Sequence, residues 1–180
     1  MKDNTKNRQY ADEMYELARD IFDSGKLEIN RDFIQHGTTS LYCHMLAVCR
    51  TALKISAFSD KVFKTKTDRR SIARGALLHD YFLYDWHEYA KHTNWHGYTH
   101  AFLAFQNAGK DFELNAVESD IITKHMFPLN ISSIPRFHET AMVCLADKCC
   151  SWREVFRVDV YSATLKRINE HLVEAGVRKE

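Results

Sequence analysis

Glycine and proline are scarce in this chain, at 6 and 2 of 180 residues. Few positions are therefore suited to tight turns. No strictly alternating apolar and polar run bounded by turn residues occurs either, so the pattern excludes an extensive sheet and favours helices. No apolar run approaches the ~20 residues that a membrane-spanning helix needs. The polar start, Met1 to Lys6, is not followed by an apolar signal core, so the expected compartment is the cytoplasm and no membrane partner is expected. A charge excess of one sign is missing too. The 25 basic and 24 acidic residues nearly cancel, which leaves no global field to attract nucleic acid or an anionic membrane. No nucleic-acid-binding motif is found.

The five cysteines are Cys43, Cys49, Cys144, Cys149 and Cys150. Their number is odd and no C-x-x-C pair occurs, which argues against a disulfide framework or a zinc-thiolate site. They read as small buried apolar residues in a reducing compartment.

What is present is helical periodicity. The length favours one domain, and no linker or repeat divides residues 1–180. The expected fold class is all-α, one compact domain of about six or seven helices. Its core spans about residues 36–155, with flanking helices at both termini. The first helix is expected from about Lys6 to Asp23, with Tyr10, Met14, Leu17, Ala18 and Ile21 on one face. The second runs from about Thr39 to Phe58, with Leu41, Val48, Ala52 and Ile55 inward. The third covers about Asp68 to Tyr81. The fourth opens at His100 and stops at Gly109. Asn115-Ala116-Val117-Glu118 has the pattern of a capping box, opening a fifth helix to about His125. A sixth covers about Phe137 to Val158, and a seventh about Val160 to Ala175.

Two connections stand out. The stretch from Asp60 to Arg70 carries Lys61, Lys64, Lys66, Arg69 and Arg70. It reads as a solvated loop or, more sharply, as a phosphate-attracting rim. The connection from Phe82 to Thr99 belongs to a segment, 81–98, that is crowded with Tyr81, Tyr84, Trp86, Tyr89, Trp95 and Tyr98. It reads as a packed loop or as a lid that stacks a substrate base.

The chemistry gathers elsewhere. The apolar run Ala76-Leu77-Leu78 leads straight into His79-Asp80, and burying both without partners is costly. A metal ion removes that cost, and so does a histidine–aspartate hydrogen bond. His44 lies between Leu41 and Val48 at helical spacing and points inward, either as a ligand or as a hydrogen-bonded core histidine. Asp147 follows Ala141-Met142-Val143-Cys144-Leu145-Ala146, a run apolar all round that suggests a central helix. A carboxylate there needs a positive partner. Lys148 is adjacent in sequence, but its position on the helix points it elsewhere.

Three inward-facing helices thus present His, His-Asp and Asp in that order. The segments Tyr42-Cys43-His44-Met45-Leu46-Ala47-Val48, Arg74-Gly75-Ala76-Leu77-Leu78-His79-Asp80 and Val143-Cys144-Leu145-Ala146-Asp147-Lys148 resemble the HD-domain superfamily of metal-dependent phosphohydrolases. The resemblance covers roughly His36 to Trp152. It implies a fold of the HD-domain type and carries over His44, His79, Asp80 and Asp147 as ligands of one divalent ion. In the bimetallic branches two further histidines bind a second ion, bridged by the Asp. The matching candidates are His100 and His125. His96 competes with His100, but the superfamily pattern sets the histidine at a helix start, which favours His100. His87, His92 and His96 are then loop residues.

Many relatives continue His-Asp with a segment containing Gly-Lys, whose lysine contacts phosphate. Here Tyr81-Phe82-Leu83-Tyr84-Asp85-Trp86-His87 follows, so the phosphate-holding cation is expected from Lys148, Lys124, Arg74 or the Lys61 to Arg70 loop. A set of imidazoles and carboxylates without thiolate suits Mn, Fe, Co, Ni or Mg, as one or two ions. The implied activity is hydrolysis of a phosphate ester of a small molecule, such as a nucleotide, by metal-activated water. Asp80 would position the nucleophile, His100 or His125 would orient phosphate or bind the second ion, and Lys148 is a candidate for contact with substrate. Two alternatives remain open: a di-iron oxygenase on the same fold, and a catalytically silent metal- or nucleotide-binding module.

Overall fold

Ser40 starts the longest helix. Its hydroxyl accepts from the Cys43 amide at 3.3 Å, satisfying one of the free N–H groups of a helix start. In the computed structural model, residues 2–83, 96–156, 158–159 and 161–179 are described, with side chains described except at 2–6, 36 and 96–98. The helix that Ser40 caps, α3, spans Leu41–Phe63 and ends where Lys64 turns left-handed (φ 56°). Before it come α1 (Lys2–Leu17), α2 (Arg19–Asp23) and a 3-10 helix (Lys26–Arg31). After it come α4 (Arg69–Leu78), α5 (His96–Asp111), α6 (Ala116–Lys124), α7 (His138–Val155) and α8 (Ser162–Glu174).

The chain is mostly helical, as expected, with helix α3 at the centre. Its buried face carries Leu41, Met45, Val48, Ala52 and Leu53, and it packs chiefly on α4 and α7. The α4 helix packs on α6, α6 on α5 and α7, and α1 on α8. Gly75 of α4 explains how α4 and α6 come so close: a Cβ there would stand 2.7 Å from Cδ1 and 2.9 Å from Cβ of Ile121. The expected capping box opens α6. The Asn115 side chain accepts from the Glu118 amide at 2.8 Å, and Glu118 accepts from the Asn115 amide at 3.1 Å.

Several boundaries differ from the sequence reading. The first helix is two, α1 and α2, parted at Ala18 (φ −126°). A short antiparallel pair, β1 (Ile34–His36) and β2 (Thr39–Ser40), precedes α3. It was unforeseen because such short strands carry no readable alternation. Helix α5 starts at His96, so His100 does not open it but lies one turn inside. It also runs through Gly109 to Asp111. Helix α7 is not apolar on all sides: Leu145 is 55% exposed, because one face of α7 looks outward. Four of the cysteines are buried, but Cys149 is exposed on that face.

The Asp60 to Arg70 stretch divides. Lys61, Lys64 and Lys66 are exposed. Arg69 and Arg70 open α4. Arg69 pairs with Glu13 at 2.7 Å and also donates to Ser56, while Arg70 donates to the Leu17 carbonyl. Among the described residues, no helix is long and apolar enough to cross a membrane.

Candidate metal centre

Helix ends and one helix middle build the site. His44 lies in the first turn of α3. His79 is the C-cap residue of α4 and Asp80 follows it. His100 sits one turn into α5, His125 is the C-cap residue of α6, and Asp147 lies midway along α7. All six are buried, none more than 6% exposed. These residues, up to about a hundred positions apart in sequence, converge on one place.

Two of the histidines are aimed in the same way. His79 donates from Nδ1 to the Ala76 carbonyl at 2.8 Å, and His125 from Nδ1 to the Ile122 carbonyl at 2.9 Å. Each satisfies a carbonyl of the last helical turn that has no partner within the helix. A neutral imidazole with its proton on Nδ1 presents a bare lone pair on Nε2. Both Nε2 atoms point to Asp80: His79 Nε2 lies 3.5 Å from Oδ2 and His125 Nε2 3.4 Å from Oδ1. His100 Nε2 is 3.5 Å from Oδ1 of the same carboxylate and 2.9 Å from His125 Nε2. On the other side His44 Nε2 is 3.3 Å from Asp147 Oδ1 and 3.9 Å from Asp80 Oδ2.

The electrostatics follow from burial and neighbours. Burial pushes the His79 imidazole down to about 4, so at neutral pH its Nε2 is a lone-pair donor. Burial alone would raise the Asp80 carboxyl, but the surrounding histidines outweigh it and hold it well below the carboxylate range. Asp147 is lowered likewise, burial being overcome by His44, His79 and Lys148. His44 goes the other way. Burial would lower it, yet hydrogen bonds to Asp147 and Glu154 raise it well above the ordinary imidazole value. The surroundings that favour a proton on His44 also favour a metal cation beside it.

Two atoms test whether a cation fits. Among the described residues, His79 Nε2 and Asp80 Oδ1 have no hydrogen-bond partner although both are buried. Orphaned buried polar atoms are rare and costly. Ligand atoms of His44, His79 and Asp147 lie within 4.8 Å of one another, as do those of His79, Asp80 and His125. The buried groups can hold a metal ion; His79 belongs to both clusters, and Asp80 turns Oδ2 toward His44 and His79 and Oδ1 toward His100 and His125.

The sequence reading of Lys148 needs correction. Although it neighbours Asp147 in sequence, its long side chain bends back. Its Nζ donates to Asp147 Oδ2 and to the His125 carbonyl, both at 2.8 Å. The other candidate cations are engaged elsewhere. Lys124 pairs with Asp120 at 3.0 Å and donates to the Ile134 carbonyl. Arg74 is bound by Asp20, Glu118 and the Glu113 carbonyl.

Of the aromatic segment, Tyr81 and Phe82 are buried, and the Tyr81 hydroxyl donates to Asp111 at 2.9 Å, so its beginning is core packing. Tyr84, Trp86, His87, Tyr89, His92 and Trp95, and the side chains of His96 and Tyr98, lie outside the described residues.

Two site residues escaped the sequence reading. Gln35 of β1 donates to Asp80 Oδ2 at 2.7 Å. Nothing in the local sequence marks it. Glu154 of α7 stands 2.9 Å from His44 Nδ1. Its spacing of seven from Asp147, two turns along one helix face, was the signal that could have found it.

Comparison of the chain with protein-family models, with curated proteins and with solved structures finds no match.

Proposed function

We propose that this chain is a metal-dependent phosphohydrolase of the HD-domain type, hydrolysing a phosphate ester of a small molecule such as a nucleotide. The observation that carries this reading is the convergence of His79 and His125 lone pairs, each fixed through Nδ1 by a backbone carbonyl, on the carboxylate of Asp80. Such aiming is the arrangement by which proteins orient metal-ligating imidazoles. It comes with the order His44, His79-Asp80, Asp147 that resembles the superfamily.

His44, His79, Asp80 and Asp147 would hold one divalent ion, and His100 and His125 would share a second with Asp80. The imidazole-rich set favours Mn, Fe, Co or Ni over Mg, which prefers carboxylates and water. A bound ion would supply Lewis acidity and a water of lowered pKa. The chain does the rest. Asp80, with one oxygen toward His44 and His79 and the other toward His100 and His125, would orient the nucleophile. Lys148, anchored on Asp147, offers an ammonium to the phosphate in place of the absent Gly-Lys segment. Buried apolar walls from α3, α4 and α7 keep bulk water out and strengthen each charge interaction.

The four-histidine, two-aspartate set also supports a second reading, a di-iron oxygenase. Substrate-dependent oxygen uptake by iron-loaded protein would favour that class.

The deciding experiment is elemental analysis of the wild type beside His79→Ala/Asp80→Ala, followed by a screen of phosphate esters with the metal found. We expect one or two equivalents of a transition metal, lost with all hydrolysis in the variant while the helical circular dichroism persists. A wild type that binds neither Mn²⁺, Fe²⁺ nor Mg²⁺ would reduce the cluster to a buried polar network.

A further inference from the structure

Glu154 occupies a place that local physics disfavours. It lies in the last turn of α7, where the negative end of the helix dipole opposes a carboxylate. Its side chain is fully buried (0% exposed). Among the described residues no Lys or Arg pairs with it, and its Oε1 accepts no hydrogen bond. Among the described residues its carboxylate has one hydrogen-bond partner, His44 Nδ1 at 2.9 Å. A carboxylate kept against burial and dipole together calls for a compensating role.

The geometry shows what that role is. Asp147 and Glu154 are seven residues apart on α7, hence on one face and about 10 Å apart along the axis. Both turn toward the same imidazole. Asp147 meets His44 at Nε2, at 3.3 Å, and Glu154 meets it at Nδ1. One helix therefore grips the two nitrogens of a ring that belongs to another helix. An acceptor at Nδ1 holds the proton there, leaving Nε2 to face Asp147 and Asp80. His79 and His125 obtain the same tautomer from backbone carbonyls of their own helices. His44 lies in the first turn of α3, where the free backbone groups are amides rather than carbonyls. Its acceptor has to come from another element.

We propose that Glu154 is a positioning residue, setting the Nδ1–H tautomer and the aim of His44 toward the metal centre. The inference deepens the metal-dependent reading above and rests on it. A carboxylate behind a ligating histidine raises the basicity of the ring, and loss of such a partner weakens metal affinity by about 10- to 100-fold.

The test compares Glu154→Met, which keeps the volume but removes the acceptor, with Glu154→Gln, which retains a carbonyl acceptor. Mn²⁺ affinity is read from the electron paramagnetic resonance of the free ion, and the His44 tautomer from ¹⁵N ring shifts of the metal-free protein, taken at alkaline pH where the ring, its pKa raised by Asp147 and Glu154, has become neutral. We expect Glu154→Met to bind Mn²⁺ about 10- to 100-fold more weakly and to lose the single Nδ1–H tautomer. Glu154→Gln should keep that tautomer and most of the affinity. A Met variant with wild-type affinity and tautomer overturns the proposal. So does a wild-type His44 found protonated on Nε2 alone, a result that needs no variant to fold. A wild type that fails to bind Mn²⁺, Fe²⁺ or Mg²⁺ instead overturns the metal reading, and the ring shifts still decide what Glu154 does to His44.

Discussion

The Nε2 atoms of His100 and His125 stand 2.9 Å apart, on helices α5 and α6, and both lie within 3.5 Å of Asp80 Oδ1. Because His125 donates its Nδ1 proton to Ile122, its neutral ring can only accept at Nε2. In the chain alone, His100 is then the donor of this contact. A cation shared with Asp80 would displace that proton. Under the two-ion hypothesis the wild type should hold about two equivalents of Mn²⁺ and each of His100→Ala and His125→Ala about one. Equal metal content in all three proteins would make the pair a hydrogen bond and no more.

Lys148 carries the prediction about substrate. If its ammonium receives the phosphate, Lys148→Met should retain metal while kcat/KM for phosphate esters falls by about 10- to 100-fold. Steady-state kinetics on metal-quantified samples would measure this. Unchanged kinetics at equal metal content would assign the phosphate to another cation.

Gly75 links packing to the site. With Ile121 as close as 2.7 Å to the position of an added Cβ, Gly75→Ala must push α6 away from α4. We expect a loss of about 1–3 kcal/mol in stability. Mn²⁺ binding should also weaken, because α4 carries His79 and Asp80 while α6 carries His125. Chemical denaturation and metal titration would measure the two effects. Unaltered metal affinity in the destabilised variant would show that the site tolerates the displacement.

Asp120 sets an acid limb. Its Oδ2 accepts from the Arg136 amide at 2.9 Å and the Thr140 hydroxyl at 2.7 Å, tying the start of α7 to α6. Burial would raise this carboxyl, but those hydrogen bonds and Lys124 outweigh it and hold its pKa below the usual value. The folded pKa is the lower one. The stabilisation is therefore complete above the unfolded value of about 3.9 and is lost as pH falls below it toward the folded value. Asp120→Asn should cost about 1–3 kcal/mol at neutral pH, with the gap to wild type narrowing below about pH 3.9. Denaturation midpoints across pH would follow it, and a gap that stays constant into acid would contradict the assignment.

Much of this molecule is legible in one dimension. The helical class follows from periodicity and scarce turn residues, and the Asn115 to Glu118 box marks its helix start as expected. His44, His79, Asp80 and Asp147 stand out because polar groups in apolar helical stripes need partners wherever the helices go. The resemblance adds His100 and His125 to that set, and the structure brings all six together. Boundaries such as the break at Ala18, the start of α5 at His96 and the β1–β2 pair are less legible, because they depend on a few residues whose preferences tertiary packing overrides.

By itself the sequence determined which side chains have to find partners, since that need arises from burial on their own helices. Only the tertiary structure decided who the partners are. Gln35 reaches Asp80 from a strand with no readable pattern, Lys148 bends back along its own helix to Asp147, and Glu154 meets His44 across 110 residues of chain. Those distances depend on how α3, α4, α6 and α7 cross. That crossing is fixed by close contacts such as Gly75 against Ile121, between residues that are distant in sequence and neighbours only after folding.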